Sequence, residues 1–294
     1  MKRLELLGDV FELPALDVLS KVSRQTGQIV QCDGHGDGSG SDRKPGARQT
    51  ALAYLKQHGS RAKRPRLVVR VNALDTGLTD ADLDVIVAGK PDAILLPKAE
   101  GGPSVIHLDA KLTAREAQHG LPDGAIEIFA LATETASALF VCGTYAGASK
   151  RLTALTWGAE DLSAELGSET NRDADGRFTS PYMLARNLSL AAAASARVQA
   201  IDTVYADFRN MAGLREESLE ARRDGFTAKM AIHPAQVAVI NEVFTPSPEE
   251  IGKARAVVNA FAADPASGVV AIGGVMYDRP HLRRAERLLA RVKP

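Results

Sequence analysis

A net charge of either sign is absent from this sequence, and cysteine and aromatic residues are scarce. Its 294 residues carry 36 Lys+Arg against 36 Asp+Glu, with only two cysteines and 5% aromatics. Nonspecific nucleic-acid binding draws on a clustered basic excess, so the balance argues against that class, and any anionic ligand must be held by local charges. Cys32 and Cys142 make neither a CxxC pair nor a disulfide framework, which points to a reducing, cytoplasmic setting. No run approaches the roughly 18 apolar residues of a membrane span. Glu5 and Asp9 break up the apolar start, so no secretory leader is read there. What is present is an ordinary globular composition, 45% hydrophobic and 24% charged. The length suits one large domain or two modest ones, since single cores stop growing near about 250–300 residues.

From Arg66 onward, short β-branched runs alternate with segments of helical spacing, the pattern of parallel strands joined by helices. The predicted strands are Leu67–Val71, Ala93–Leu96, Ile126–Leu131, Leu152–Trp157, Thr203–Ala206 and Ala228–Ile232. Ser180-Pro181 opens a predicted helix that runs to Gln199, and Ser247-Pro248-Glu249-Glu250 is a capping box for another. Gly225 is a helix C-cap. Residues 33–42 form a Gly/Ser/Asp loop that matches no phosphate-binding fingerprint. The small-residue stretch 265–274 reads as a hinge before a basic terminal helix, Pro280–Val292.

Where parallel strands close into a β/α barrel, chemistry collects at the strand ends, because the loops that follow open on one face. Arg70 ends the first predicted strand, and Lys98, Glu134, Asp161 and Asp207 follow the next four. Singly, each reads as a solvated charge or a surface ion pair. Together they place two carboxylates, Glu134 and Asp161, on neighbouring strands, where they repel unless a cation lies between them. Oxygen ligands without His or Cys at metal spacing favour Mg²⁺ over zinc. An arginine beside them can hold a carboxylate or a developing enolate oxygen. That combination suits making or breaking a carbon–carbon bond next to a carbonyl. Trp157 belongs to the core or rim, and Cys142 reads as a buried, inert thiol.

Arg70-Val71-Asn72, Leu95-Leu96-Pro97-Lys98, Thr133-Glu134-Thr135-Ala136, Trp157-Gly158-Ala159-Glu160-Asp161-Leu162 and Ala231-Ile232-His233-Pro234 occur in the order seen in the citrate lyase beta-subunit-like branch of the HpcH/HpaI aldolase and citrate lyase superfamily. The chain resembles that family from Asp42 nearly to its end. The resemblance implies an α/β fold, a TIM-type (β/α)8 barrel over 42–263 with a small C-terminal helical extension over 264–294, preceded by an atypical segment 1–41. It also implies Mg²⁺ held by Glu134 and Asp161, with Arg70 stabilising enolate and keto-acid oxygens. The substrate it implies is a malyl-, citramalyl- or citryl-type CoA thioester, or another thioester, split into an acyl thioester and a 2-oxo acid. Lys98 is a candidate for the thioester's phosphates, with Arg43-Lys44 and Arg48 weaker ones. For His233, which precedes Pro234 at a predicted strand end, the resemblance implies a structural hydrogen-bonding role.

Gly274-Val275-Met276-Tyr277-Asp278 resembles the C-terminal segment that, in related lyases, covers a neighbouring subunit's site. Asp278 is therefore a candidate proton donor, set against a plain helix-start acid. The resemblance further implies a homo-oligomer, a trimer or hexamer, while the charge balance and the short apolar runs leave no nucleic-acid or membrane partner expected. One departure stands out: where the family carries an Asp-Leu-Glu-Asp motif, this chain has Gly34-His35-Gly36-Asp37, and only Asp37 matches an expected acid. A metal-dependent aldolase acting on free hydroxy-keto acids, and a non-catalytic thioester-binding subunit, are the competing readings.

Overall fold

The computed structural model describes residues 19–22, 28–31, 44–61 and 64–292, with side chains from residue 45 onward. Asp37, Arg43, the 33–42 loop and the side chain of Lys44 lie outside the described residues. The chain divides into two compact units, one ending at Glu242 and the other covering Val243–Pro294.

The first unit is an α/β fold built on six consecutive parallel strands: β3 (Leu67–Arg70), β4 (Ala93–Leu96), β5 (Glu127–Leu131), β6 (Leu152–Thr156), β7 (Gln199–Asp202) and β8 (Ala228–Met230). Two earlier strands precede them, β1 (Leu19–Val22) and β2 (Gln28–Gln31). β2 pairs parallel with β3, whereas β1 pairs antiparallel with both β2 and β8. This unit therefore departs from the regular all-parallel (β/α)8 pattern at β1. The helices are α1 (Lys44–His58), α2 (Thr79–Ile86), α3 (Gly101–Gln118), α4 (Ala136–Val141), α5 (Glu160–Leu166), α6 (Ser180–Ala196), α7 (Met211–Asp224) and α8 (Pro234–Phe244).

Alternation along each strand decides which side chains share the core. Val68, Ala93, Leu95, Phe129, Leu131, Ala154, Ile201, Ala228 and Met230 form one buried cluster, so the sheet curls until residues of β3 and β8 meet. At the opposite end from the strand-end loops, Arg151 is 5% exposed and ties the fold together. It donates to Asp109 at 2.5 Å, to Glu116 at 2.8 Å and to Asp123 at 2.5 Å.

Strand β7 corrects one sequence expectation. The β-branched run Thr203–Ala206 is not the strand; Gln199–Asp202 is, because α6 stops at Ala196, where Arg197 caps it with φ +58°. Asp207, read as ending that strand, is exposed and accepts from the amide of Arg209 in a local turn. The true strand end is Asp202.

In the second unit, α9 (Pro248–Ala263) opens with the expected capping box, Ser247 and Glu250 bonding each other's amides. The stretch expected as a hinge contains a hairpin instead, β9 (Val269–Ile272) and β10 (Val275–Asp278). Gly273 and Gly274 take φ +59° and +79°, the left-handed pair that a two-residue hairpin turn requires and glycine adopts without strain. Helix α10 (Arg279–Ala290) follows, and Ala254, Val257, Phe261 and Ala285 form the unit's own core. Because α9 shares that core, this unit begins ahead of residue 264, where the sequence placed the extension.

Candidate functional site

The loop after β5 is set by its own sequence. Thr135 caps α4, its hydroxyl accepting from the amide of Ala138 at 3.2 Å, which leaves Glu134 between strand and helix. Glu134 is buried at 4% exposure, and the amide of Lys98 donates to its Oε2 at 2.5 Å. Lys98 holds φ +49°, a left-handed conformation uncommon for a side chain other than glycine. The loop around it is braced from behind. Tyr145 Oη donates to the carbonyl of Ala99 at 2.8 Å, and the amide of Gly102 donates to Thr144 Oγ1 at 2.8 Å. A Cβ on Gly102 would come within 2.3 Å of the Thr144 carbonyl oxygen, so this approach needs glycine.

Asp161 lies in the first turn of α5, and the Lys98 ammonium stands 3.5 Å from its Oδ1. Gly158, three residues before Asp161, leaves room for Glu134: a Cβ there would come within 3.0 Å of Glu134 Cγ. Arg70 ends β3, and the next residues are pinned by Asp82, which accepts from both the amide and Nδ2 of Asn72 at 2.7 Å. Arg48 donates to the same Asp82 at 2.7 Å. The structure thus gives Arg48, a weaker phosphate candidate, a bracing role behind β3.

Burial raises Glu134 to about 7; Arg70 and the Lys98 amide pull it down, while Asp161 pushes it up. Burial and the neighbouring Asp161 disfavour its ionised form, which a nearby cation would favour. Among the described residues no cluster of three or more His, Cys, Asp or Glu could hold a metal. The donor set is two carboxylates, which suits a hard divalent ion such as Mg²⁺ that fills most of its octahedron with water and substrate oxygens. It does not suit zinc, which takes three or four protein ligands.

Arg70, Lys98, Glu134 and Asp161 are thus brought together. Asp278 sits in the second unit as the N-cap of α10, bonded to His281 Nδ1 at 2.5 Å, and that bond holds its carboxyl below the usual range. His233 stacks on Phe208 with ring centroids 4.7 Å apart, and its Nδ1 accepts from the Ala235 amide at 3.2 Å, a local structural role. Trp157 and Cys142 are buried, and Cys142 donates to the Ala138 carbonyl at 3.3 Å. No helix among the described residues is long and apolar enough to cross a membrane.

Sequence reasoning missed Asp202 and Lys229. Lys229 is fully buried in β8, its ammonium 2.7 Å from Asp202 Oδ2 and 2.7 Å from Glu217 Oε1. A lysine inside a strand reads as a solvent-facing position, and only Asp202, ending the neighbouring strand β7, could have hinted otherwise.

The largely parallel α/β sheet thus gathers a carboxylate pair, a lysine and an arginine at its strand ends, an arrangement compatible with the aldolase and lyase class. The chain belongs to the HpcH/HpaI aldolase/citrate lyase family, which it matches over residues 18–234. It is 35% identical to the citrate lyase subunit beta of Escherichia coli over 228 residues, covering 77% of this chain and 74% of that one. It is 33% identical to the mitochondrial citramalyl-CoA lyase of Rattus norvegicus, covering 75% and 67%. Among solved structures, it resembles the CitE protein of Mycobacterium tuberculosis in complex with magnesium, acetoacetate and coenzyme A. There the TM-score is 0.66 and the identity 32%, over 90% of this chain and 88% of that one.

Proposed function

We propose that this protein is a Mg²⁺-dependent carbon–carbon lyase that splits a 3-hydroxy-acyl-CoA of malyl, citramalyl or citryl type into an acyl thioester and a 2-oxo acid. The observation that carries the reading is the buried Glu134 carboxylate facing Asp161 and Arg70 at the strand ends. The scaffold belongs to the TIM-type (β/α)8 class, working as a cytoplasmic homo-oligomer.

Glu134 and Asp161 would hold the ion, which when bound supplies Lewis acidity toward the hydroxyl oxygen that becomes the ketone. Arg70 offers fixed N–H donors to the keto-acid oxygens and to charge developing on the enolate. Cleavage sends the bonding pair to the thioester's α-carbon and releases the hydroxyl proton, so that carbon must gain a proton in turn. Asp278 of a neighbouring copy is the proposed donor, acting once its capping bonds to His281 are released and its carboxyl has taken up a proton. Lys98 would meet the thioester's phosphates.

Turnover of the three thioesters with and without Mg²⁺ tests the reading, with Glu134→Ala as the control. The expected result is metal-dependent release of 2-oxo acid from at least one thioester, lost in the variant with folding intact. Cleavage of free hydroxy-keto acids alone would move the assignment to an aldolase. Mg²⁺ binding by neither protein would leave a non-catalytic thioester-binding subunit.

A further inference from the structure

The segment that carries Asp161 is gripped by a closed circuit of six side chains. Trp157 Nε1 donates to Asp202 Oδ1 at 2.8 Å. Asp202 Oδ2 receives the Lys229 ammonium at 2.7 Å, and that ammonium reaches Glu217 Oε1 at 2.7 Å. Glu217 Oε2 receives Arg172 Nη1 at 2.7 Å. The Arg172 guanidinium lies 3.8 Å over the ring of Phe178, whose edge meets Trp157 at 5.0 Å between centroids. The ring closes on the residue where it began.

Arg172 and Phe178 are bridged across a short hairpin, where the Asp173 amide bonds the Arg177 carbonyl at 2.8 Å and the Thr179 amide bonds the Asn171 carbonyl at 3.0 Å. From that hairpin Asn171 Nδ2 also donates to Glu160 Oε1 at 2.9 Å. Trp157 and Glu160 are thus both tied to residues 171–179, and between and beside them stand Gly158, against Glu134, and Asp161. Lys229 is 0% exposed and Asp202 1% exposed. Charges taken that far out of water are tolerated only when each is paired, so the circuit holds together as a unit.

We infer that Arg172, Glu217, Lys229 and Asp202 are positioning residues: through Trp157 and the 171–179 hairpin they fix the Trp157–Asp161 segment, and with it the spacing of Asp161 from Glu134. This rests on the reading of that carboxylate pair as the metal site. Outer partners of metal ligands govern affinity by about 10–100-fold.

Trp157 is the only tryptophan, so its emission reports this segment alone. The experiment compares the wild-type chain with Arg172→Met in acrylamide quenching of Trp157 without metal, and in Mg²⁺ titration by calorimetry. Expected are easier quenching, a red-shifted emission and Mg²⁺ binding weakened about 10-fold, with circular dichroism unchanged. Quenching and emission identical to wild type would overturn the inference whether or not metal binds, whereas a wild-type chain that takes no Mg²⁺ would count against the metal-site reading instead. Altered quenching with unchanged Mg²⁺ affinity would overturn the link to the site. Should Arg172→Met fail to fold, Phe178→Leu opens the circuit at its aromatic contact and carries the same expectations.

Discussion

The backbone amide of Lys98 lies 2.5 Å from Oε2 of Glu134. That bond joins the loop after β4 to the loop after β5, and it needs Lys98 in its left-handed conformation, φ +49°. Backbone strain of this kind persists where the surroundings overdetermine it, and here Tyr145, Thr144 and Gly102 do so. One oxygen of Glu134 is thereby fixed by the main chain, and in the proposed site the other oxygen would meet the cation.

Metal binding at Glu134 competes with a proton. Its carboxyl is raised by burial to about 7, above the unfolded value of 4.5. For a raised carboxyl, the metal-free fold is favoured below the unfolded value and loses that advantage as pH rises through about 7. Bound Mg²⁺ reverses the balance by compensating the ionised form. Thermal melts with and without Mg²⁺ should therefore show a larger stabilisation at pH 8 than at pH 5.5. Mg²⁺ affinity should fall about tenfold per unit below pH 7. A stabilisation independent of pH would place the metal elsewhere.

Gly158→Ala should damage the site without damaging the fold. The new methyl would stand 3.0 Å from Glu134 Cγ and 3.3 Å from Oε1, so the carboxylate has to move. The expected outcome is at least a tenfold loss of Mg²⁺ affinity, while the melting temperature of the metal-free protein changes by no more than a few degrees. Calorimetry and a thermal melt check the two halves separately.

Arg151→Met should do the reverse. It leaves Glu116, itself fully buried, without its guanidinium partner at the end of the sheet away from the strand-end loops. Losing one partner of a buried pair costs about 3–5 kcal/mol. Urea unfolding should show that loss, while the Mg²⁺ affinity of the folded fraction stays as in the wild type.

The legible parts of the fold were those where pattern and environment agree. Strands β3, β4, β5, β6 and β8 are short apolar runs between turn signals, and each fell where the sequence placed it. Strand β7 did not, because Gln199 and Asp202 make it half polar while the apolar run next to it, Thr203–Ala206, belongs to the following loop. The Gly273-Gly274 turn looked like a hinge because glycine signals turn and flexibility alike. In the site, Arg70, Lys98, Glu134 and Asp161 stood out as charges after successive strands. The Lys229 circuit did not, since its members are spread from Trp157 to Lys229 and only the folded sheet, the 171–179 hairpin and helix α7 bring them together.

A crystal structure grown with Mg²⁺ and pyruvate tests the proposed metal site most directly. The expected result is one metal ion ligated by Glu134 and Asp161, with pyruvate and water oxygens completing its shell and the carbonyl within hydrogen-bond reach of Arg70. A metal bound away from that carboxylate pair, or pyruvate bound without contact to Arg70, would contradict it.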